Sequence, residues 1–345
     1  MLLIPFVDDY LGYCITSHLC QIKSLRAEIR VLYSAKSPWI QNFESKGIEA
    51  QAIVDYTHPH QLSQAMRNVD QLILTLGSHS ERVLQCQQIC KVALKSGVKS
   101  IVFLSHQGAR SESHSLLYDY GLIENYLIQQ QEEEQEEGGE KMSWTIVRLD
   151  WIQQYFHLWA SQVDQTRVMS LPLSSDTEIC PIDITDVCLA VEKLVLDGDQ
   201  KLLSRLGEDH VGQVYTCTGP EALTSKDLMQ MMSNATNYPS YKYLMARAMD
   251  TQFYLNNLGL DIWFDARIKN EKNQVYHDLL ETNSYRTKVL VVPNDVQVQT
   301  FLDYFDRVLK TSSSIPVDHI RLFSQSPKTM QDFFYENAAD FKPKV

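Results

Sequence analysis

Residues 71–105, QLILTLGSHSERVLQCQQICKVALKSGVKSIVFLS, form one predicted strand–helix–strand unit. The two ends of this stretch are apolar almost throughout, as strands are when both faces of a parallel sheet are covered. Between them, Ser78 and Glu81 have the spacing of a capping box, and Gly97 lies where the helix should end. The unit therefore predicts a parallel sheet with helices packed on it.

Further strands are predicted on both sides of this unit. Six short apolar runs alternate with helical patterns in the first part of the chain, at residues 2–7, 29–33, 50–54, 71–76, 100–105 and 144–148. Ser37 and Pro38 predict a helix start after the second run, because proline is favoured in the first helical turn. Six strands with intervening helices predict an α/β fold with a doubly wound parallel sheet of the Rossmann type.

The second half of the chain has a looser pattern. Its clearest predicted elements are a helix from near Asp183, a strand at 213–217, a helix capped by Thr224 with Asp227 at its third position, and a final helix around 327–341. Residues 240–310 indicate amphipathic helices broken by loops. We therefore expect a Rossmann domain over residues 1–150 and a smaller, mainly helical lobe over residues 151–345, partly interwoven with the first.

The composition excludes several classes of protein. The chain has 345 residues, 44% of them hydrophobic, and a formal net charge of −12 with no basic stripe, so direct binding to nucleic acid is not expected. No apolar stretch is long enough to span a membrane. The start, MLLIPFVDDY, has no basic residues before its apolar run and predicts a buried strand rather than a signal peptide. Seven cysteines without a CxxC pair indicate reduced thiols and a cytoplasmic protein, with the nucleus as a further location.

Three local clusters each allow a functional and a structural interpretation. Residues 129–141, QQQEEEQEEGGEK, are an acidic docking tail or a solvated extension of a helix, and we favour the extension. Cys86 and Cys90 lie one helical turn apart, and His58 and His60 flank a proline. Either pair could contact a metal, but packing and a solvated loop are the simpler interpretations. We predict no metal site.

Six segments, in order along the chain, resemble the NmrA-like family of atypical short-chain dehydrogenases/reductases. They are AIVDYTHPHQLSQAMRNVDQLIL, GVKSIVFLSHQGA, SWTIVRLDWIQQYF, LPLSSDTEICPIDITDVCLAV, TCTGPEALTSKDL and SPKTMQDFFYENAADFK. Residues 240–310 match the family least, and we assign them to the substrate or partner lobe by position. The resemblance implies a Rossmann sheet whose C-terminal lobe forms a cleft over a bound NADP(H). It also implies one of two roles, a reductase of small molecules or a non-catalytic sensor that represses a transcription factor.

The phosphate-binding loop departs from the family pattern. Family members carry G-x-x-G-x-x-G directly after the first strand, whereas residues 6–12 read FVDDYLG. Phe6 and Asp9 stand where the first two glycines are needed, and Gly12 is the third glycine, whose role is helix-to-sheet packing. A carboxylate here repels a phosphate, and Asp8 or Asp9 can cap the helix itself. We expect the phosphate site to be filled from within.

The remaining predicted cofactor positions lie near the ends of later strands. Family reductases that prefer NADPH have an arginine after the second strand, where this chain has Ser34, alanine and Lys36. Lys36 can act as a point charge for a phosphate or as an exposed lysine at a helix start. Asp55, Gly77 and Ser105 complete the predicted, degenerate cofactor edge. A strand-end serine such as Ser105 can touch a ligand or serve as a cap.

The catalytic residues of the wider superfamily are missing. NmrA-like enzymes often have a lysine four residues before a glutamate in the fifth helix; Glu124 matches the glutamate, and Tyr120 then occupies the lysine position. The superfamily tyrosine position holds Leu116. No lysine lies between Lys99 and Lys141 to lower the pKa of a phenol. We therefore assign no catalytic residue with a complete set of partners.

Three functions remain open at this point. The leading hypothesis is a non-catalytic or redox-sensing regulator that acts through a protein partner or a small ligand in the cleft, because the loop glycines and the lysine are lost together. The alternative is an NADPH-dependent oxidoreductase acting on a small carbonyl or quinone substrate. The third is a scaffold whose acidic helix docks a basic partner.

Overall fold

A parallel sheet of seven strands organises the molecule. The computed structural model describes residues 1–35, 38–137, 142–260, 292–311 and 315–343. The strands follow the order β3-β2-β1-β4-β5-β6-β8, with bounds β1 Leu2–Ile4, β2 Ile29–Tyr33, β3 Glu49–Ala52, β4 Gln71–Thr75, β5 Ser100–His106, β6 Ser143–Leu149 and β8 Gln213–Cys217. A separate parallel pair joins β7 Val168–Leu171 to β9 Lys242–Met245. The predicted α/β Rossmann sheet is confirmed, and β8 extends it beyond the predicted six strands.

The sheet is buried on both faces. Along β4, Leu72 and Leu74 belong to the hydrophobic cluster on one face, and Ile73 belongs to the cluster on the other. All three side chains are fully buried. Because β8 comes from beyond residue 150, both halves of the chain contribute to this sheet.

Helices cover both faces of the sheet and make up most of the chain after β6. Their bounds are α1 Tyr10–Leu19, α2 Pro38–Ser45, α3 Pro59–Ala65, α4 Arg82–Lys95, α5 Ser115–Glu137, α6 Ala160–Thr166, α7 Ile184–Val195, α8 Ser225–Thr236, α9 Ala248–Asn256, α10 Asp295–Thr311, α11 Met330–Glu336 and α12 Ala338–Phe341. Asp183 caps α7 through the Thr185 N–H, and Thr224 with Asp227 forms the predicted capping box of α8. None of the helices in the described ranges has the length and apolar character needed to cross a bilayer.

Two predicted helix boundaries are wrong. The capping box of Ser78 and Glu81 does not form, because α4 begins later, at Arg82, with no side-chain cap. The final helix around 327–341 is divided at Asn337 into α11 and α12. Gly97 does follow the end of α4 and has a positive φ of 79°, which glycine adopts at little cost. All seven cysteines are buried free thiols.

Candidate functional site

The strand order reverses at the carboxyl ends of β1 and β4. In doubly wound sheets this topological switch point opens a crevice, and ligands bind there. The loop that follows β1 leads directly into α1 at this edge. Gly12 lies where α1 crosses this loop most closely: a Cβ atom there would be 2.4 Å from the Phe6 carbonyl oxygen. The helix can pack this tightly only because residue 12 has no side chain.

Phe6 fills the space where the first glycine of a phosphate loop would leave room. Its backbone has a φ of 54°, in the left-handed region that a phenylalanine rarely adopts. The ring packs on Tyr56 with ring centroids 4.3 Å apart, and it covers Gly77, where an added Cβ would lie 3.0 Å from Phe6 Cδ1. Gly77 is therefore brought to the crevice as predicted, but it faces a phenyl ring.

Asp8 ties the loop after β1 to the turn after β2. Its Oδ2 accepts hydrogen bonds from the Ser34 N–H at 3.1 Å, the Ser34 hydroxyl at 2.7 Å and the Ala35 N–H at 2.9 Å. Ser34 is thus brought together with Asp8. Lys36, the predicted phosphate partner in the same turn, lies outside the described residues.

Asp9 makes the matching connection toward β4. It precedes α1 in the N-cap position, yet its side chain makes no cap hydrogen bond. The carboxylate instead accepts from the Ser78 N–H at 3.0 Å and the Ser78 hydroxyl at 2.9 Å. The prediction that Asp8 or Asp9 caps its own helix is therefore wrong. Each carboxylate reaches across to a neighbouring loop.

Burial is the largest influence on the protonation of Asp9. It raises the pKa of Asp9 from 3.8 to about 6; the hydrogen bonds from Ser78 oppose this shift and the charge of Asp8 adds to it. The folded protein therefore binds this proton more tightly than the unfolded chain does. The ionised Asp9 destabilises the fold increasingly as the pH rises from about 4 to about 6.

The Asp9→Asn variant is expected to be more stable than the parent at pH 7.5, by about 1–3 kcal/mol, since each unit of pKa shift corresponds to about 1.4 kcal/mol. Asparagine can still accept from the Ser78 N–H and donate to its hydroxyl. Chemical denaturation at pH 4.5 and 7.5 measures the gain in the free energy of unfolding, which should be smaller at the lower pH. Asp199→Asn, at an exposed turn, is the control and should show no such trend. A gain that is equal at both pH values would contradict the raised pKa.

Two other residues of the predicted cofactor edge form hydrogen bonds within the protein. The exposed Asp55 accepts from the N–H and hydroxyl of Thr57, and these bonds lower its pKa. The Ser105 hydroxyl donates to Glu124 at 2.5 Å, and Arg148 forms an ion pair with the same carboxylate. Ser105 still lines the crevice at the end of β5, but its hydrogen atom is committed to Glu124.

Helix α10 covers the crevice. Just before α10, the Asn294 side chain donates to the Ser78 carbonyl at 2.9 Å. Within the helix, Asp303 accepts from the Leu116 N–H at 3.0 Å, and the Tyr304 hydroxyl donates to Asp150 at 2.8 Å. These bonds reach the loop after β4, the start of α5 and the residue that follows β6. The sequence did not predict this contact, because α10 lies in the part of the chain that resembles the family least.

Two adjoining hollows remain beneath α10, each with a volume of about 60 Å³. One lies at Asp9, Gly77 and Arg82, and the other at the ends of β5 and β6. They share five lining residues: Leu11, Tyr120, Tyr155, Thr300 and Phe301. Cofactor sites usually offer about 300–1,000 Å³. Each hollow, as the described residues form it, is smaller than the space that a dinucleotide needs.

Tyr120, at the predicted lysine position, lies between the two hollows. Its ring stacks on Phe103 and packs against His106, with centroid distances of 6.5 and 5.6 Å. The Arg82 guanidinium lies over the ring, 5.5 Å from its centre. Burial raises the pKa of the phenol, although Arg82 opposes the shift. Tyr120 is therefore a neutral phenol and does not replace the charge of a lysine.

His106 is a site residue that the sequence analysis did not single out. Its Nδ1 accepts from the Gly108 N–H at 2.9 Å, and burial lowers the pKa of the imidazole to about 3. The ring is therefore neutral, with its proton on Nε2. Its position directly after Ser105, at the end of a predicted strand, was the available signal.

Comparison with known proteins finds similarity to NAD(P)H-binding proteins. Residues 22–192 match the protein family described as NAD(P)H-binding. The NAD(P)H azoreductase of Xenophilus azovorans is 24% identical over 221 residues, which cover 61% of this chain and 70% of that protein. The matched family range begins after residues 6–12, so the altered loop is not part of it.

Solved structures share the fold over almost the whole chain. Triphenylmethane reductase from Citrobacter sp., complexed with NADP(H), has a TM-score of 0.71 and 14% identity, covering 97% of this chain and 99% of that one. The NADPH-dependent quinone oxidoreductase of Escherichia coli has a TM-score of 0.69 and 17% identity, with the same coverage. NmrA, a negative transcriptional regulator, has a TM-score of 0.58 and 12% identity, covering 97% and 94%.

Proposed function

We propose that this NmrA-like chain, which has the NAD(P)H-binding Rossmann fold, has lost dinucleotide binding. In this proposal it acts without catalysis, through a small ligand or a protein partner. One observation carries this proposal. Asp8 and Asp9 bridge from the β1 loop to the turns after β2 and β4, across the place where a pyrophosphate would lie.

Electrostatic magnitudes support the same proposal. A phosphate about 4 Å from a carboxylate is opposed by about 4 kcal/mol at an effective dielectric constant near 20. The end of a helix favours an anion by only about 0.3–1 kcal/mol. Protonation of Asp9 below about pH 6 weakens this repulsion, but the Phe6 ring still fills the space beside Gly77. Both charge and volume therefore disfavour the cofactor.

The second candidate is an NAD(P)H-dependent oxidoreductase that acts on a small carbonyl or quinone. The comparisons favour it over a regulator, since the azoreductase, the triphenylmethane reductase and the quinone oxidoreductase are all reductases by name. It requires residues 6–12 to leave the crevice and α10 to withdraw, which would break the bonds of Asp8, Asp9 and Asn294.

Titration with NADPH and NADP⁺ separates the two candidates. We expect no saturable binding by the parent protein up to about 1 mM. The double variant Phe6→Gly/Asp9→Gly restores two loop glycines and should gain at least about tenfold in affinity, because one repulsive charge and one ring are removed. Asp199→Gly, at a distant exposed turn, is the matched control and should behave like the parent.

Micromolar binding by the parent protein would overturn the main proposal. If binding is then followed by oxidation of NADPH in the presence of a quinone or aldehyde, the oxidoreductase is established. Binding without turnover would instead indicate a redox sensor.

A further inference from the structure

A larger cavity, of about 440 Å³, lies at the opposite edge of the sheet from the crevice. It is bordered by the end of α7, the segment before β8 and residues 318–323. Gln71, at the start of β4, donates to the Val195 carbonyl at 3.5 Å, so α7 ends at the amino ends of the strands. The crevice lies at their carboxyl ends. Ligand sites usually offer about 300–1,000 Å³, so this cavity has room for a small molecule.

Two carboxylates line this cavity, and the protein holds each of them through one oxygen. Glu192 Oε2 lies 2.5 Å from the Nε2 atom of His18. The Oδ1 atom of Asp197 accepts from the N–H groups of Asp199 and Lys201, both at 2.9 Å. Within the described part of the chain, Glu192 Oε1 and Asp197 Oδ2 have no hydrogen-bond partner. Both carboxylates are therefore fixed in place, and each keeps one acceptor for a ligand.

The charges around the cavity favour a cation. Lys193 also lines it, and this side chain forms no ion pair with any residue that the structure describes. One positive charge thus stands against the two negative charges of Glu192 and Asp197. The C-terminal end of α7 adds the partial negative charge of its last carbonyl groups. An ammonium group is therefore attracted to the cavity, and a carboxylate is repelled.

One wall of the cavity is apolar. Leu196 and Phe323 are buried, whereas Leu322 is 61% exposed. The ring of Phe323 packs edge-on against Tyr215, with ring centroids 5.1 Å apart, which fixes its position. An apolar group of a ligand would remove part of this surface from water, and that burial would add to the affinity.

We propose that this cavity binds an organic primary ammonium ion that carries an aromatic or branched aliphatic group. The ammonium group donates to Glu192 and Asp197, and the apolar group packs on the wall formed by Leu196, Leu322 and Phe323. The proposal does not depend on the proposed function, because the cavity and the crevice lie at opposite edges of the sheet.

Three ligands of similar shape test the proposal on the unaltered protein. They are 2-phenylethylamine, 2-phenylethanol and 3-phenylpropionate, which differ mainly in charge. By ligand-observed NMR at pH 7.5 without any nucleotide, we expect the amine to bind at least about fivefold more tightly than the alcohol, because charge-assisted hydrogen bonds are stronger than neutral ones. The acid should bind most weakly. Equal affinities for the amine and the alcohol, or no binding of the amine at millimolar concentration, would overturn the proposal.

Variants then locate the binding site. Glu192→Gln and Asp197→Asn each remove a negative charge and retain an oxygen that can accept the existing hydrogen bonds. Each should weaken binding of the amine about fivefold and leave the alcohol unchanged. Lys193→Gln removes the opposing charge and should strengthen binding of the amine about twofold. Glu221→Gln, at an exposed position beyond the carboxyl end of β8, makes the same charge change as Glu192→Gln and should alter neither affinity.

The pattern across the variants decides the assignment. If neither Glu192→Gln nor Asp197→Asn weakens binding of the amine, or if Glu221→Gln weakens it equally, the amine binds elsewhere and the proposal is wrong. Weaker binding in Lys193→Gln would also contradict it. NADPH titration tests the proposed function separately, and its outcome does not change this comparison.

Discussion

Replacing Gly12 with alanine is expected to destabilise the fold by about 3–5 kcal/mol, at the upper end for single substitutions. The new Cβ would lie 2.4 Å from the Phe6 carbonyl oxygen, 2.9 Å from the Phe6 carbonyl carbon and 2.9 Å from Val7 Cα. These are backbone atoms of a tight loop, so no side chain can rotate to make room. The higher helix propensity of alanine returns only about 1 kcal/mol.

Urea denaturation followed by circular dichroism measures this loss. Gly198→Ala is the matched control, because a Cβ there would meet no heavy atom within 4 Å and the backbone φ is not positive. That variant should be neutral or slightly more stable. If Gly12→Ala unfolds at the same urea concentration as Gly198→Ala, then α1 does not pack on the loop as closely as described.

The fold was predictable because its strands are buried on both faces. In a chain with helical patterns between them, continuous apolar runs such as Leu72–Ile73–Leu74 predict strands of a parallel sheet. Six strands were found close to their predicted bounds. The parallel pair β7 and β9 was not predicted. Lys242, Leu244 and Met245 in β9 are exposed, so this short strand carries no burial pattern that a sequence can reveal.

The sequence singled out residues of the candidate site but did not predict their contacts. Phe6, Asp8 and Asp9 are predicted to be incompatible with a phosphate loop, and the predicted partners of the two aspartates are local. The actual partners Ser34 and Ser78 lie 26 and 69 residues away from Asp8 and Asp9. Helix-capping rules describe neighbours in sequence, and only the sheet topology brings these loops together.

The position of α10 could not be predicted for a similar reason. Its amphipathic pattern indicates a buried face but does not identify the surface that covers it. In the structure, Thr300, Phe301 and Tyr304 face the ends of the central strands and reduce the crevice to two small hollows. Two separate parts of the chain thus border the crevice, the loop after β1 and α10.

Arg82 links α4 and α5 to α10, and replacing it with methionine is expected to cost about 3 kcal/mol. The side chain is 3% exposed. Its guanidinium donates to Asp119 at 2.9 Å and to the Leu116 carbonyl at 2.5 Å, and it reaches the Thr300 hydroxyl of α10 at 3.4 Å. Methionine fills part of the volume but leaves the Leu116 carbonyl and Asp119 without their donor.

The same substitution should loosen α10 more than the rest of the chain. Hydrogen exchange of Arg82→Met is expected to show faster exchange in residues 295–311 than in β4 or β5, because the helix loses a link to α4. Arg247→Met is the control: that arginine is 81% exposed and pairs with the half-exposed Asp250, so its loss should leave the exchange of residues 295–311 unchanged. Uniform acceleration across the chain would mean that Arg82 stabilises the domain as a whole and does not hold the crevice shut.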